Sequence, residues 1–252
     1  MLYIEDYVIV NKGIKPSNNQ DNIFVNGTYL SENNNGLDTY NQKNNFKKNN
    51  LIYAVFDGIG GMEKGEYASY ICSRVLGNNL ERKDVINIIN DKIIDINNIE
   101  NIKMGSTASI VRIKNNKLYI SQVGDSPIYI LSDGNFIKII ENDSKVNLLE
   151  NYLGKDKDLR INNQVFNIKN GDKILICSDG LSKEIGDLEI EYILDQSNDS
   201  KFISEKLLNY ALMNGGNDNI SIVTLVIKKS YKNIFYVILI ILIIILNIII
   251  FI

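Results

Sequence analysis

The sequence predicts an α+β fold built on antiparallel sheet, with an apolar helix appended after it. Three observations carry this reading: strand-length runs come in blocks, helical periodicities come in pairs between the blocks, and residues 234–252 hold no charge. A parallel sheet would instead need strands and helices to alternate.

Residues 3–10 alternate enough for a strand, and residues 22–29 read as a second short one. Residues 31–50 are rich in Asn and Lys and read as a surface loop. Residues 51–56 (LIYAVF) form a continuous apolar run of strand length, as expected for a strand buried on both faces. From Gly65 the apolar positions Ala68, Ile71, Cys72, Val75 and Leu76 recur at helical spacing, and Val85, Ile89, Ile93 and Ile96 repeat the pattern in a second helix. A β block follows: 107–113, a turn at 114–116, 117–123, 127–131, a turn at 132–134, and 135–140, read most simply as adjacent antiparallel strands. A stretch through Leu153-Gly154 leads to a strand at 173–177, helical segments around 189–194 and 202–213, and a last strand at 220–227.

Composition excludes several chemistries. The chain has no histidine, so a Ser-His-Asp or Cys-His nucleophile and a His-rich zinc site are ruled out. Twenty-seven Lys and Arg against thirty Asp and Glu leave no basic footprint for nucleic acid. Cys72 and Cys177 lie in apolar periodic runs, as buried reduced thiols do. Residues 234–252 would span about 28 Å as a helix, close to the roughly 30 Å hydrocarbon core. Lys228, Lys229 and Lys232 precede that span and by the positive-inside rule place the preceding domain in the cytoplasm. The expected organisation is therefore a domain at 1–229, a basic juxtamembrane linker at 230–233 and a single-pass transmembrane tail anchor at 234–252. The first ten residues carry two acids and no basic region, unlike a signal peptide.

Four aspartates share one setting, a carboxylate where an apolar strand meets Gly or Asn: Asp57, Asp125, Asp179 and Asp218, with Asp21 a fifth. Each alone is ordinary turn chemistry, and Asp133-Gly134 needs no role beyond a hairpin. Together, converging carboxylates would repel one another unless cations neutralised them. Oxygen-only ligation selects hard ions such as Mg²⁺ or Mn²⁺, and a pair of these can clamp a phosphoryl group for in-line attack.

The ordered motifs NNQD (18–21), VFDGIGGMEKGEYAS (55–69), GSTASIVRIKNNKLYISQVGDS (105–126), GDKILICSDGL (171–181) and GGNDNISIVTLV (215–226) resemble the PP2C family of metal-dependent protein serine/threonine phosphatases, most of all its short bacterial type. The resemblance spans residues 1–228 and implies a four-layer α-β-β-α sandwich of two antiparallel sheets flanked by helix pairs. It implies hydrolysis of phosphoserine and phosphothreonine on proteins, the substrates of a Ser/Thr kinase, by a water bridging two Mn²⁺ or Mg²⁺ ions; the expected anchor would set this activity at the cytoplasmic membrane face. By position, Asp57 resembles the bridging ligand, Gly58 the residue offering a backbone carbonyl to the second ion, and Asp179 and Asp218 the ligands completing the first site; Asp57, Asp179 and Asp218 thus form the catalytic set. Asp21 matches the acid holding the second ion's water shell, and Asp125 with Asp179 resembles the ligands of a third, weaker ion. Gln20 and Asn219 occupy supporting positions, and Gly60, Gly61 and Gly65 let backbone pass close to the site.

The departures are specific. Pro16 stands where the family has a phosphate-gripping arginine, and Lys15 beside it is the candidate substitute, although lysine lacks the bidentate guanidinium fork. Ile59 and Met62 stand where relatives often carry histidine, and Pro127 replaces the arginine of GDSR. The interval from Ile140 to Leu153 is short, which predicts a reduced substrate flap. The alternative reading is a pseudophosphatase, a membrane-tethered module that binds a kinase or other partner. A different phosphoesterase using the same ions is the third.

Overall fold

The computed structural model describes residues 2–34, 37–46, 50–59, 62, 64–140 and 150–229. The expected linker and transmembrane helix, the glycines Gly60 and Gly61, and residues 141–149, where the flap was expected to be reduced, lie outside the described residues. Among the described residues no helix is long and apolar enough to cross a membrane.

The chain runs β1 (Leu2–Asn11), β2 (Asp21–Val25), β3 (Thr28–Tyr29), β4 (Thr39–Phe46), β5 (Asn50–Asp57), α1 (Gly65–Asn78), α2 (Val85–Glu100), β6 (Ala108–Lys114), β7 (Lys117–Val123), β8 (Ile128–Ser132), β9 (Asn135–Ile139), β10 (Asn162–Asn167), β11 (Lys173–Cys177), α3 (Asp179–Ser182), α4 (Asp187–Asp195), α5 (Ser200–Met213) and β12 (Ile220–Lys229). The strands form two six-stranded sheets, ordered β4-β1-β12-β11-β8-β9 and β10-β7-β6-β5-β2-β3. Every pairing is antiparallel.

Three apolar layers define four structural ones. Val8, Ile23, Val55, Ile130, Ile176 and Val223 belong to the layer between the sheets. Phe56, Ile110 and Ile52 pack outward against Ile71, Ile89 and Ile93 of α1 and α2. Tyr7, Leu175 and Ile222 pack the opposite way against Ile190, Ile203 and Leu207 of α4 and α5. The α+β expectation holds, and β5 is buried on both faces from Leu51 to Phe56 as its unbroken apolar run requires. Cys72 and Cys177 are free, buried, and sit in different layers. Burial pushes the Cys72 thiol up to about 12, so it stays protonated.

Several elements differ from the sequence reading. Residues 22–29 are not one strand but a hairpin, turned at Asn26-Gly27 with φ of +50° and +106°. Residues 31–50 hold β4, which pairs with β1 from Ile4↔Phe46 to Asn11↔Thr39. A second unexpected strand, β10, pairs with β7. Both are sheet edges made of alternating, largely polar residues, TYNQKNNF and NNQVFN. An edge strand needs little apolar surface and is protected from aggregation by lacking it, which hides it from a hydrophobicity pattern. β6 and β7 turn at Asn115-Asn116 alone, with φ of +52° and +58°, the left-handed pair that a two-residue hairpin demands. β7 and β8 are not neighbours: the chain crosses from one sheet to the other through Gly124 (φ +91°), Asp125 and Ser126.

One carboxylate lies in the layer between the sheets. Asp6 of β1 is fully buried and accepts hydrogen bonds from Asn44 Nδ2 at 2.9 Å and Tyr53 Oη at 3.1 Å. Burial raises its pKa from 3.8 to about 6, outweighing those two bonds. A raised folded pKa means that ionisation costs stability, which is present below the unfolded value and lost as pH climbs from about 4 to about 6. Asp6→Asn keeps the shape and removes the charge, so it should stabilise the protein by about 1–3 kcal/mol above pH 6 and change little near pH 4. Denaturant melts at the two pH values check this; equal effects at both would show that Asp6 stays uncharged throughout.

Candidate metal centre

The five aspartates sit where the sheets run out. Asp21 opens β2, Asp57 closes β5, and the two are direct cross-strand partners. Asp125 lies on the β7–β8 crossover, Asp179 begins α3 with only Ser178 between it and β11, and Asp218 stands two positions before Ile220, the first residue of β12. Asp133 sits in the β8–β9 hairpin and is ion-paired with Lys169, outside this group.

The backbone around Asp57 is clamped. Its N–H donates to Thr107 Oγ1 at 3.1 Å, and its carbonyl accepts from Thr107 N at 2.8 Å and Ser106 Oγ at 2.9 Å. Gly58 N donates to Gln20 O at 3.0 Å. A Cβ on Gly58 would stand 2.2 Å from Gly65 O and 2.6 Å from Gln20 O, so only glycine permits this approach. Gly180 is equally constrained: a Cβ there would meet Asn219 O at 2.0 Å. That contact presses the start of α3 against the Asn219–Ile220 peptide.

Asn219 ties the entry loop to β12. Its Oδ1 accepts from Gln20 N at 2.8 Å, and its Nδ2 donates to Lys12 O at 2.8 Å and Asn18 O at 3.0 Å. Its own N–H donates to Asp218 Oδ1 at 2.8 Å. Gln20 Nε2 reaches Glu66 Oε2 at 3.2 Å. Gln20 and Asn219 thus form one strap between the segment that leads into Asp21 and the residue that follows Asp218.

Electrostatically the five carboxylates are one group. Burial, then the neighbouring Asp21, Asp179, Asp218 and Asp125, hold Asp57 well above the ordinary carboxylate range. Burial, opposed by a hydrogen bond from Ser221, takes Asp21 up to about 7, and Asp218 and Asp179 add to the rise. Asp125, Asp179 and Asp218 are raised as well, burial leading in each. Asp21 Oδ2 accepts from Ser221 Oγ at 2.7 Å, but Asp21 Oδ1 and Asp179 Oδ1 are buried without a partner. Buried carboxylate oxygens in that condition are costly unless something positive meets them.

Among the described residues no three acidic side chains are already closed into a cage around one point. The cluster instead engages protein donors, Ser221 at Asp21, Lys183 at Asp179 and the Asn219 amide at Asp218. Lys15 is not brought in: it is exposed, its N–H donates to Gly216 O at 3.2 Å, and the cation acting on Asp125, Asp179 and Asp218 is Lys183. Ile59 and Met62 are partly buried, and Pro127 is buried with its carbonyl accepting from Cys177 N at 3.2 Å. Ser221 and Lys183 escaped the sequence reading. Lys183 stands four residues after Asp179, a helical spacing that becomes readable only once α3 is recognised.

Oxygen-only acidic ligands gathered at the ends of two sheets, with buried lone pairs left over, define a centre for hard divalent cations. The known relatives agree with the fold and with that chemistry. The model of the family Protein phosphatase 2C matches residues 26–150. The serine/threonine phosphatase stp of Listeria welshimeri is 24% identical over 213 residues, covering 70% of this chain and 84% of that protein. Among solved structures, the catalytic domain of the serine/threonine protein phosphatase PstP, determined with two manganese ions, superposes with a TM-score of 0.73 at 21% identity and covers 91% of this chain and all of that one. The phosphatase Stp1 of Staphylococcus aureus gives a TM-score of 0.74 at 18% identity, with 89% and 95% covered. Together the family match and the curated relatives support a serine/threonine phosphatase of the PP2C family, bacterial in type.

Proposed function

We propose that this protein hydrolyses phosphoserine and phosphothreonine esters on proteins with two Mn²⁺ or Mg²⁺ ions, anchored by residues 234–252 with the catalytic domain on the cytoplasmic membrane face. The observation that carries the catalytic reading is the pair of orphaned buried oxygens, Asp21 Oδ1 and Asp179 Oδ1, inside a cluster of five carboxylates. Those residues fit the ions: Asp57 would bridge them, Asp179 and Asp218 would complete the first site, and the Gly58 carbonyl with Asp21 would serve the second. Bound there, the ions polarise a phosphoryl oxygen and acidify a water for in-line attack.

The chain's own residues supply order. Thr107 and Ser106 fix the Asp57 backbone, so its carboxylate is delivered from a rigid strand end. Asn219 and Gln20 hold the two sheets' carboxylates at a set separation. Lys15, on the exposed entry loop pinned at Gly216, is the residue proposed to steer the phosphate as a point charge. The anchor rests on the uncharged run and on Lys229 and Lys232 before it, since Lys228 is already paired with Glu5 Oε2 at 2.7 Å.

Full-length protein in detergent should hydrolyse a phosphothreonine peptide only when Mn²⁺ or Mg²⁺ is supplied. Metal binding without turnover above an Asp179→Asn control would favour the partner-binding module instead, and turnover of phosphodiesters alone would favour a different phosphoesterase. In cells, the protein should remain with membranes through a high-salt wash; release by salt would show that the span is not inserted.

A further inference from the structure

The Asp125–Asp179 corner of the cluster already holds a cation of the protein's own. Lys183 caps the C-terminal end of α3, its N–H donating to Asp179 O at 2.8 Å. From there its ammonium ion-pairs with Asp179 Oδ2. Asp125 and Asp179 lie within electrostatic reach of each other, and Lys183 acts on both and on Asp218. Resemblance to the family would place a third, weaker ion between these two aspartates.

We infer that Lys183 is the resident cation of the Asp125–Asp179 pair, so that this chain takes two divalent ions and not three. The inference rests on the two-ion reading above and adds what that reading leaves open. Its physical basis is charge and space together. Asp21, Asp57, Asp125, Asp179 and Asp218 carry five negative charges when ionised; two divalent ions supply four positives and Lys183 the fifth. A third divalent ion would face an ammonium on one of its own ligands and an already neutral site. The one buried oxygen of this corner left without a partner is Asp179 Oδ1, while Oδ2 is taken by Lys183. Asp179 can therefore turn Oδ1 to the first ion site and leave Oδ2 on Lys183. This is a positioning role: the ammonium fixes the rotamer of a ligand and neutralises Asp125, without meeting substrate.

The test is a count of bound ions. Full-length protein in detergent is stripped with chelator and equilibrated with Mn²⁺ up to about 1 mM, the range of weak sites; bound metal is then measured by mass spectrometry and by titration calorimetry. Wild type and Lys183→Arg should each bind two ions. Lys183→Gln should bind a third, tightened at least about tenfold relative to wild type, because ammonium–divalent repulsion at contact range supplies that much even at bulk-water dielectric. Adding Asp125→Asn to Lys183→Gln should return the count to two. Three ions in wild type, or two in Lys183→Gln with its fold confirmed by circular dichroism, overturns the inference while leaving the two-ion reading intact. No bound Mn²⁺ in any variant would sink the two-ion reading itself, and this one with it.

Discussion

Replacing Asp57 by Asn is expected to abolish metal-dependent turnover and, at the same time, to raise the melting temperature of the metal-free protein. The two effects have one origin. Asp57 faces Asp21 directly across the strand pair, and its carboxyl is pushed far up by burial and by the other four aspartates. In the metal-free protein that carboxylate is a liability, because folding brings it into a low-dielectric cluster of like charge. Asparagine has the same shape, no charge, and an amide that can donate to Asp21 Oδ1, the buried oxygen lacking a partner. For a domain of this size each kcal/mol gained moves the midpoint by about 2–4 °C. Activity should move the other way. Loss of an outer-shell partner already costs about 10–100-fold in metal affinity or rate, and Asp57 is proposed as a direct and shared ligand, so the loss should exceed about 100-fold. The backbone clamp from Thr107 and Ser106 does not involve the Asp57 side chain, so the strand end stays in place. Differential scanning calorimetry in chelator and peptide turnover in Mn²⁺ are the two readouts. A destabilised apo protein would mean that the Asp57 carboxylate makes stabilising contacts outweighing its repulsion. Such a trade of stability for a strained site is the expected signature of function.

What the sequence revealed and what it hid divide along physical lines. Segments that bury apolar area announced themselves: β5 through its unbroken run, α1 and α2 through helical spacing, β11 and β12 through their valines and isoleucines. The edge strands β4 and β10 did not, since one side of each faces no partner and polar residues suffice there. The β2–β3 hairpin was in principle readable, because Asn26-Gly27 is the dipeptide that a two-residue turn selects. The aspartates were visible as a class, each where a strand ends, and the fold brings all five within electrostatic reach of one another. What sequence could not show is which neutral and cationic groups would be recruited around them. Ser221 reaches Asp21 across 200 positions, and Asn219 reaches Gln20 across 199. Those are sheet-to-sheet contacts set by tertiary geometry, with no local spacing to betray them. Lys15 is a different case: adjacency to the family's arginine position makes it the candidate, and the fold leaves it exposed on the entry loop, away from the carboxylates' own hydrogen bonds.

Stripped of metal, the protein should lose stability as pH rises from about 4 to about 7, and saturating Mn²⁺ should reverse that trend. Asp21 is 2% exposed, and its pKa climbs from 3.8 to about 7, chiefly by burial. Between those values the native state holds a proton that the unfolded state has released. The slope of unfolding free energy with pH is therefore negative, up to about 1.4 kcal/mol per pH unit for each such proton. Over roughly three units, Asp21 alone accounts for as much as about 4 kcal/mol, a large share of the 5–15 kcal/mol that holds a typical domain together. Asp57 and Asp179 shift in the same direction and steepen the fall. Asp6 adds to it only up to about pH 6, so an Asp6→Asn background isolates the cluster. Divalent ions change the sign because they bind the deprotonated carboxylates: affinity grows with pH, and an ion at a thousand times its dissociation constant adds about 4 kcal/mol to the native state. Calorimetric melts across pH 4.5–7.5, in chelator and in excess Mn²⁺, should give curves that diverge steadily toward neutral pH. Parallel curves, or a chelated protein that gains stability with pH, would show that the five aspartates are relieved by the protein's own donors and need no cation. The divergence measures how much of the fold's free energy is held in reserve for the ions, which is the quantity that a strained carboxylate cluster exists to store.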